Sequence, residues 1–153
     1  MAVEVEIQHA VGEEVLIPAD NDFRRWAEVV LNHQRQAGSV VIRVVEESES
    51  HQLNELYRHK SKPTNVLSFP FEAPEFVADE HLGDLVICAS VVNREAQQQQ
   101  KPSEAHWAHM VVHGILHLLG YDHVTPEQAQ QMEPLEVSIL EQLGINNPYE
   151  VKT

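Results

Sequence analysis

The chain has a single cysteine, Cys88, among 153 residues. It can therefore build neither an internal disulfide nor a cysteine-cluster metal site, and it fits a reducing compartment. Basic residues are scarce too: ten Lys and Arg against 24 Asp and Glu leave a net charge of −14. Such a balance repels polyphosphate at long range. A nucleic-acid role then needs a local basic patch, or a partner that delivers the substrate. No uninterrupted apolar run approaches the ~20 residues that span a bilayer. Residues 1–6 lack the basic start and apolar stretch of a secretion signal. A soluble, cytoplasmic protein with no membrane or DNA partner is expected. Hydrophobic residues, at 42%, are numerous enough for a real core, and the length suits one domain over residues 1–153.

Local patterns predict an α+β fold. Val3, Val5 and Ile7 alternate with Glu4, Glu6 and Gln8, which is strand periodicity over 2–8. A helix is predicted near 20–37, because Phe23, Trp26, Ala27, Val30 and Leu31 recur on one face, with Gly38 as its stop. The β-branched run 39–46 reads as a strand. Ser48 is placed to cap a short helix carrying Leu53, Leu56 and Tyr57. Residues 58–63 form a polar loop that Pro63 keeps from being helical. Strands follow at 65–69 and 83–89 around a loop at 70–81, with Cys88 in the core. Helices are predicted at 90–100, 103–119 and 126–143; Pro134 should kink or split the last. The glutamine run 97–100 reads as a solvated helix end. Together these elements imply a mixed sheet of about four strands with helices packed on it.

The chemistry concentrates in the histidines. His106, His109, His113 and His117 lie within about 80° of one another on one helix face. The remaining circumference is apolar, so the helix is expected to be buried and its imidazoles to need partners. His113 and His117, one turn apart, can reach a single ion. Gly120 ends the helix, and Tyr121-Asp122 reverses the chain so that His123 returns to the same point. Three imidazoles leave one tetrahedral position for water, the pattern of a catalytic rather than a structural zinc site. Imidazole also suits nickel, copper and iron. His106 and His109 read equally well as supporting partners of the ligands or as surface, with His109 a lesser candidate for a ligand itself. Asp84 and Asp122 are each split between orienting a ligand histidine and shaping a turn. Where metalloproteases of the HExxH type carry a glutamate base after the first histidine, this chain has Gly114. A glycine there leaves room for substrate or allows close packing.

The segment 113–123 (HGILHLLGYDH) resembles the signature of the YbeY family of bacterial metal-dependent endoribonucleases. Leu56-Tyr57-Arg58 with residues 62–70 (KPTNVLSFP), and residues 82–87 (LGDLVI), match further blocks in the same order. The resemblance covers roughly 38–145. It implies a zincin-like α+β fold with the metal site on a buried helix, and one zinc ion held by His113, His117 and His123. It also implies single-strand endoribonuclease activity in ribosomal RNA processing, at the small-subunit 3′ end, and in ribosome quality control. Ribosomal RNA, the small subunit and its proteins are the expected partners. The family's functional arginine falls on Arg58.

Arg58 can clamp a phosphate through two N–H groups. With Lys60 and Lys62 it forms the local basic patch that an acidic RNA-binding protein requires. The attacking group stays open between water and the ribose 2′-hydroxyl. Two other readings stand beside this one: a metal-dependent hydrolase of another substrate, and a ribosome-assembly factor that acts by binding, its zinc structural and its acidic surface docked on basic proteins.

Overall fold

The computed structural model describes residues 3–71 and 80–149. Nine elements follow one another: β1 (Val3–Ala10), α1 (Asp20–His33), β2 (Gly38–Val45), α2 (Glu47–Arg58), β3 (Val66–Pro70), β4 (His81–Cys88), α3 (Ala89–Gln98), α4 (Ser103–Leu118) and α5 (Pro126–Gln142). The strands form one mixed sheet in the order β1-β2-β4-β3. β1 and β4 both run parallel to β2, while β3 lies antiparallel to β4 at the edge. The class is the α+β predicted.

Alternation along the strands separates two faces. Val40, Ile42 and Val44 of β2, with Leu85 and Ile87 of β4, point into the main core. There they meet Phe23, Trp26, Val30 and Leu31 of α1 and the apolar girdle of α4. Phe23 packs edge-on against both Trp26 and Trp107. The indole N–H of Trp107, buried among them, donates to Asn93 Oδ1 at 2.7 Å, so its burial leaves no polar atom stranded. The opposite face carries a smaller cluster of Val45, Leu67, Val86, Cys88 and Val91, with Leu53 of α2 packed on it.

Several local expectations are corrected. Helix α1 stops at His33, short of Gly38, and Arg35 takes the left-handed conformation at φ 54°. Gly38 instead opens β2 at φ 140°, where a Cβ would lie 2.4 Å from the Glu80 carbonyl oxygen. Ser48 does not cap α2; Glu46 occupies that position with no side-chain cap bond, and acidic Glu47 and Glu49 fill the first turn. Of the apolar residues expected to anchor α2, Leu56 and Tyr57 are largely exposed. Strand β4 begins two residues earlier than predicted, and residues 72–79 of the predicted loop lie outside the described residues. Pro134 does not split α5, which runs unbroken from Pro126 to Gln142. It sits on the exposed side, where water can take up the carbonyl it leaves unbonded. No helix among the described residues is long and apolar enough to cross a membrane.

Candidate metal centre

Helix α4 is buried nearly all round and packs against α1, α3, α5 and β3. Its position against the sheet is set at Gly114. A Cβ there would lie 2.8 Å from Leu85 Cδ2 and 3.2 Å from Val66 Cγ2, and the Gly114 carbonyl accepts the Ser68 hydroxyl at 3.0 Å. The glycine thus serves close packing, one of its two readings.

After Leu118 the chain turns sharply. Gly120 adopts φ 103°; its N–H donates to the His117 carbonyl, and that of Tyr121 to the Leu116 carbonyl, each at 3.0 Å. This pair of bonds satisfies the last carbonyls of the helix and redirects the backbone. The far side of the turn is fixed by a capping box: the Gln128 N–H donates to Thr125 Oγ1 at 3.2 Å, and Gln128 Oε1 accepts from the Thr125 N–H at 3.0 Å. Between these anchors the His123 N–H donates to Asp122 Oδ1 at 2.8 Å.

The outcome is a cluster of three rings. Centroids of His113 and His117 lie 4.6 Å apart, those of His113 and His123 4.9 Å, and those of His117 and His123 5.1 Å. Nε2 of His113 and Nε2 of His117 are 3.1 Å apart. Two imidazole nitrogens bound tetrahedrally to zinc at 2.0–2.1 Å would stand about 3.3 Å apart, so the cluster fits an ion with little adjustment. The His113 and His117 side chains are 17% and 18% exposed and that of His123 is 52% exposed, so the cluster opens to solvent on the His123 side.

Burial and the neighbouring charges of His113 and His123 push His117 down to about 4, against a rise from Asp122; Arg58 adds to the lowering. His117 therefore stays neutral, the form that binds metal, well below neutral pH. Arg58 ends α2, His59 follows in the left-handed conformation, and Arg58, Lys60 and Lys62 are exposed. None of the three is paired with a carboxylate among the described residues.

The remaining candidates separate cleanly. Asp84 bonds His81 Nε2 at 2.9 Å, and none of the three clustered histidines. Asp122 shapes the turn and lies 4.0 Å from His117 Nδ1 and 3.9 Å from His123 Nδ1, a charge nearby rather than a hydrogen bond to either ring. His106 and His109 are buried, which removes the surface reading; His106 Nε2 meets Glu95 Oε1 at 3.0 Å.

One residue escaped the sequence reading. Glu136 of α5 is fully buried and meets His113 Nδ1 at 2.5 Å through Oε1 and His109 Nε2 at 3.0 Å through Oε2. The Tyr149 hydroxyl also donates to Oε2. Burial alone would raise the Glu136 carboxyl, but the bonds from His109 and His113 outweigh it and hold the group at about 2. Burial and Glu136 together push the Tyr149 hydroxyl well above its ordinary value, so it remains a donor. The signal was present in the spacing: Met132, Glu136 and Leu140 fall four apart on the core-facing stripe of α5, where an acid is out of place.

Comparison with known proteins identifies the family of the chain. The solution structure of TM1509 from Thermotoga maritima superposes with a TM-score of 0.57 over 96% of this chain and 99% of that one, at 22% identity, a likeness of fold. An Endoribonuclease YbeY of Nitrosococcus oceani is 56% identical over 152 residues, covering 98% of this chain and 99% of the relative. The family model described as Endoribonuclease YbeY matches residues 9–144. Spanning nearly the whole of both chains, these matches show that the chain belongs to the YbeY family of endoribonucleases.

Proposed function

We propose that the protein cleaves single-stranded RNA during ribosomal RNA processing, at the small-subunit 3′ end, and in ribosome quality control, with one zinc ion held by His113, His117 and His123. The observation that carries the zinc reading is the 3.1 Å approach of two Nε2 atoms beside a third ring, in a nitrogen-only cluster open on one side. When bound there, the ion supplies a Lewis acid and a lowered pKa for water. The protein's own side chains supply the rest. His117 is kept neutral by burial, and Arg58, exposed and unpaired with any carboxylate among the described residues, grips the scissile phosphate and offsets charge as it develops. Lys60 and Lys62 extend the basic patch along the RNA backbone. The acidic remainder of the surface repels RNA, so docking on basic proteins of the small subunit would deliver the substrate in the cytoplasm.

The test is Arg58→Ala. Cleavage of labelled single-stranded RNA should fall about 10²–10³-fold, as for loss of a group that stabilises transition-state charge, while zinc content by elemental analysis stays at wild type. Loss of zinc together with activity would mean that Arg58 supports the metal instead. Parallel incubations with casein, and with a chelator, separate RNA cleavage from hydrolysis of another substrate. If a metal-free variant still bound small subunits and rescued maturation, the binding-factor reading would replace this one.

A further inference from the structure

We infer that Glu136 is a positioning residue that sets the tautomer of His113, and that Tyr149, beyond the end of α5, locks it in place. The inference rests on the metal reading above. Among the described residues Glu136 is the only fully buried carboxylate. A buried carboxylate is tolerated only when donors surround it. Here three converge: His113 Nδ1 on Oε1, and His109 Nε2 and the Tyr149 hydroxyl on Oε2. Tyr149 arrives on a segment held by the Lys101 ammonium, which donates to the Pro148 carbonyl at 3.0 Å. Its own N–H donates to Asn147 Oδ1 at 2.8 Å.

A neutral imidazole has one N–H. With that of His113 committed to Glu136, its Nε2 presents a bare lone pair to His117 and His123. The opposite tautomer would point a proton at the place the ion must occupy, and would strip a donor from a buried charge. Glu136 therefore prepares the site before any ion arrives. His109, His113 and Glu136 also lie close enough together to be considered as a second ion site. The 2.5 Å contact between His113 Nδ1 and Glu136 Oε1 argues otherwise, since two ligands of one ion stand about 3 Å or more apart. A proton, not a metal, joins them.

The experiment uses the full chain, with Glu136→Leu, Glu136→Gln and Tyr149→Phe. In the metal-free protein, ¹⁵N chemical shifts of the His113 ring should show Nδ1–H in the wild type and a mixture of tautomers in Glu136→Leu. Zinc affinity, measured by chelator competition, should drop roughly 10–100-fold in Glu136→Leu and about 10-fold in Glu136→Gln, the range for loss of an outer partner of a metal ligand, and less than about 10-fold in Tyr149→Phe, which touches Glu136 and not the ring. A folded Glu136→Leu that binds zinc as the wild type does and keeps the Nδ1–H form would overturn the inference. Should that variant not fold, wild-type affinity in Glu136→Gln would do so. A wild type that takes up no zinc would instead overturn the metal reading, while the ring shifts still decide the tautomer claim.

Discussion

The two halves of one histidine stripe behave differently. His106 and His109 stand on the same face of α4 as His113 and His117, yet the inner pair is buried, and each Nε2 meets a carboxylate from another helix, Glu95 or Glu136, at 3.0 Å. The outer pair is half-buried, and the two Nε2 atoms face each other at 3.1 Å. Residue type and helical phase are shared, so neither marks a ligand. The partner does. A carboxylate facing Nε2 ties a histidine into the fold, and other imidazoles facing Nε2 leave it a candidate ligand. His113 sits at the boundary, with one nitrogen turned each way.

Exchanging an alanine between the two halves should produce the largest effect. His117→Ala removes a ligand and leaves a two-nitrogen site; elemental analysis should find the zinc gone, and RNA cleavage should fall at least ~10³-fold. His106→Ala should retain zinc and pay in stability instead, roughly 1–3 kcal/mol, because Glu95 loses a buried donor and keeps only Asn65. Thermal unfolding measured beside metal content distinguishes the two. If His106→Ala emptied the site while His117→Ala kept it filled, the division of the stripe would be wrong.

Acid should sharpen the same contrast in the metal-free protein. His117 titrates near 4 when folded against an ordinary 6.5. The unfolded chain therefore takes up a proton that the folded one refuses, and stability is full above pH 6.5 and falls as pH drops toward 4. The span corresponds to about 3 kcal/mol. His109, lowered by burial against the pull of Glu136, adds to the same slope. Glu136, held at about 2 against 4.5, contributes stability above pH 4.5 that is lost as pH falls toward 2. Denaturant titrations between pH 7.5 and 3.5 should show steadily declining stability, with a shallower decline in His117→Ala. A flat profile from 6.5 to 4 would show that His117 is not held neutral.

Legibility in the sequence followed the range of the interaction. The ligand-like trio was readable because i,i+4 spacing, Gly120 and His123 all lie within eleven residues, and helical geometry relates them. The strands were readable from alternation and β-branching. The order β1-β2-β4-β3 was not, since pairing joins residues some forty apart, such as Val41 with Asp84. The role of Glu136 was hidden for the same reason: its spacing puts an acid on the core-facing stripe of α5, but its partner His113 lies 23 positions away. Gly38 misled because glycine serves a helix stop and a crowded strand start equally well, and only the Glu80 carbonyl beside it decides between them.

The smallest expected effect bears on how the third ring is delivered. Gly120 and Gly114 both lie in the signature segment, but for opposite reasons. A methyl at Gly114 would strike Leu85, whereas one at Gly120 would meet nothing within 4 Å. Gly120→Ala therefore tests backbone conformation alone, and strain at φ 103° should cost about 1–2 kcal/mol, a lowering of the melting temperature by a few degrees. The turn beyond is pinned independently by the Thr125–Gln128 capping box, so His123 should still reach the cluster and zinc should remain bound. A Gly120→Ala protein that stays folded yet loses its zinc would show that the left-handed residue, rather than the box after it, aims His123 at the other two rings.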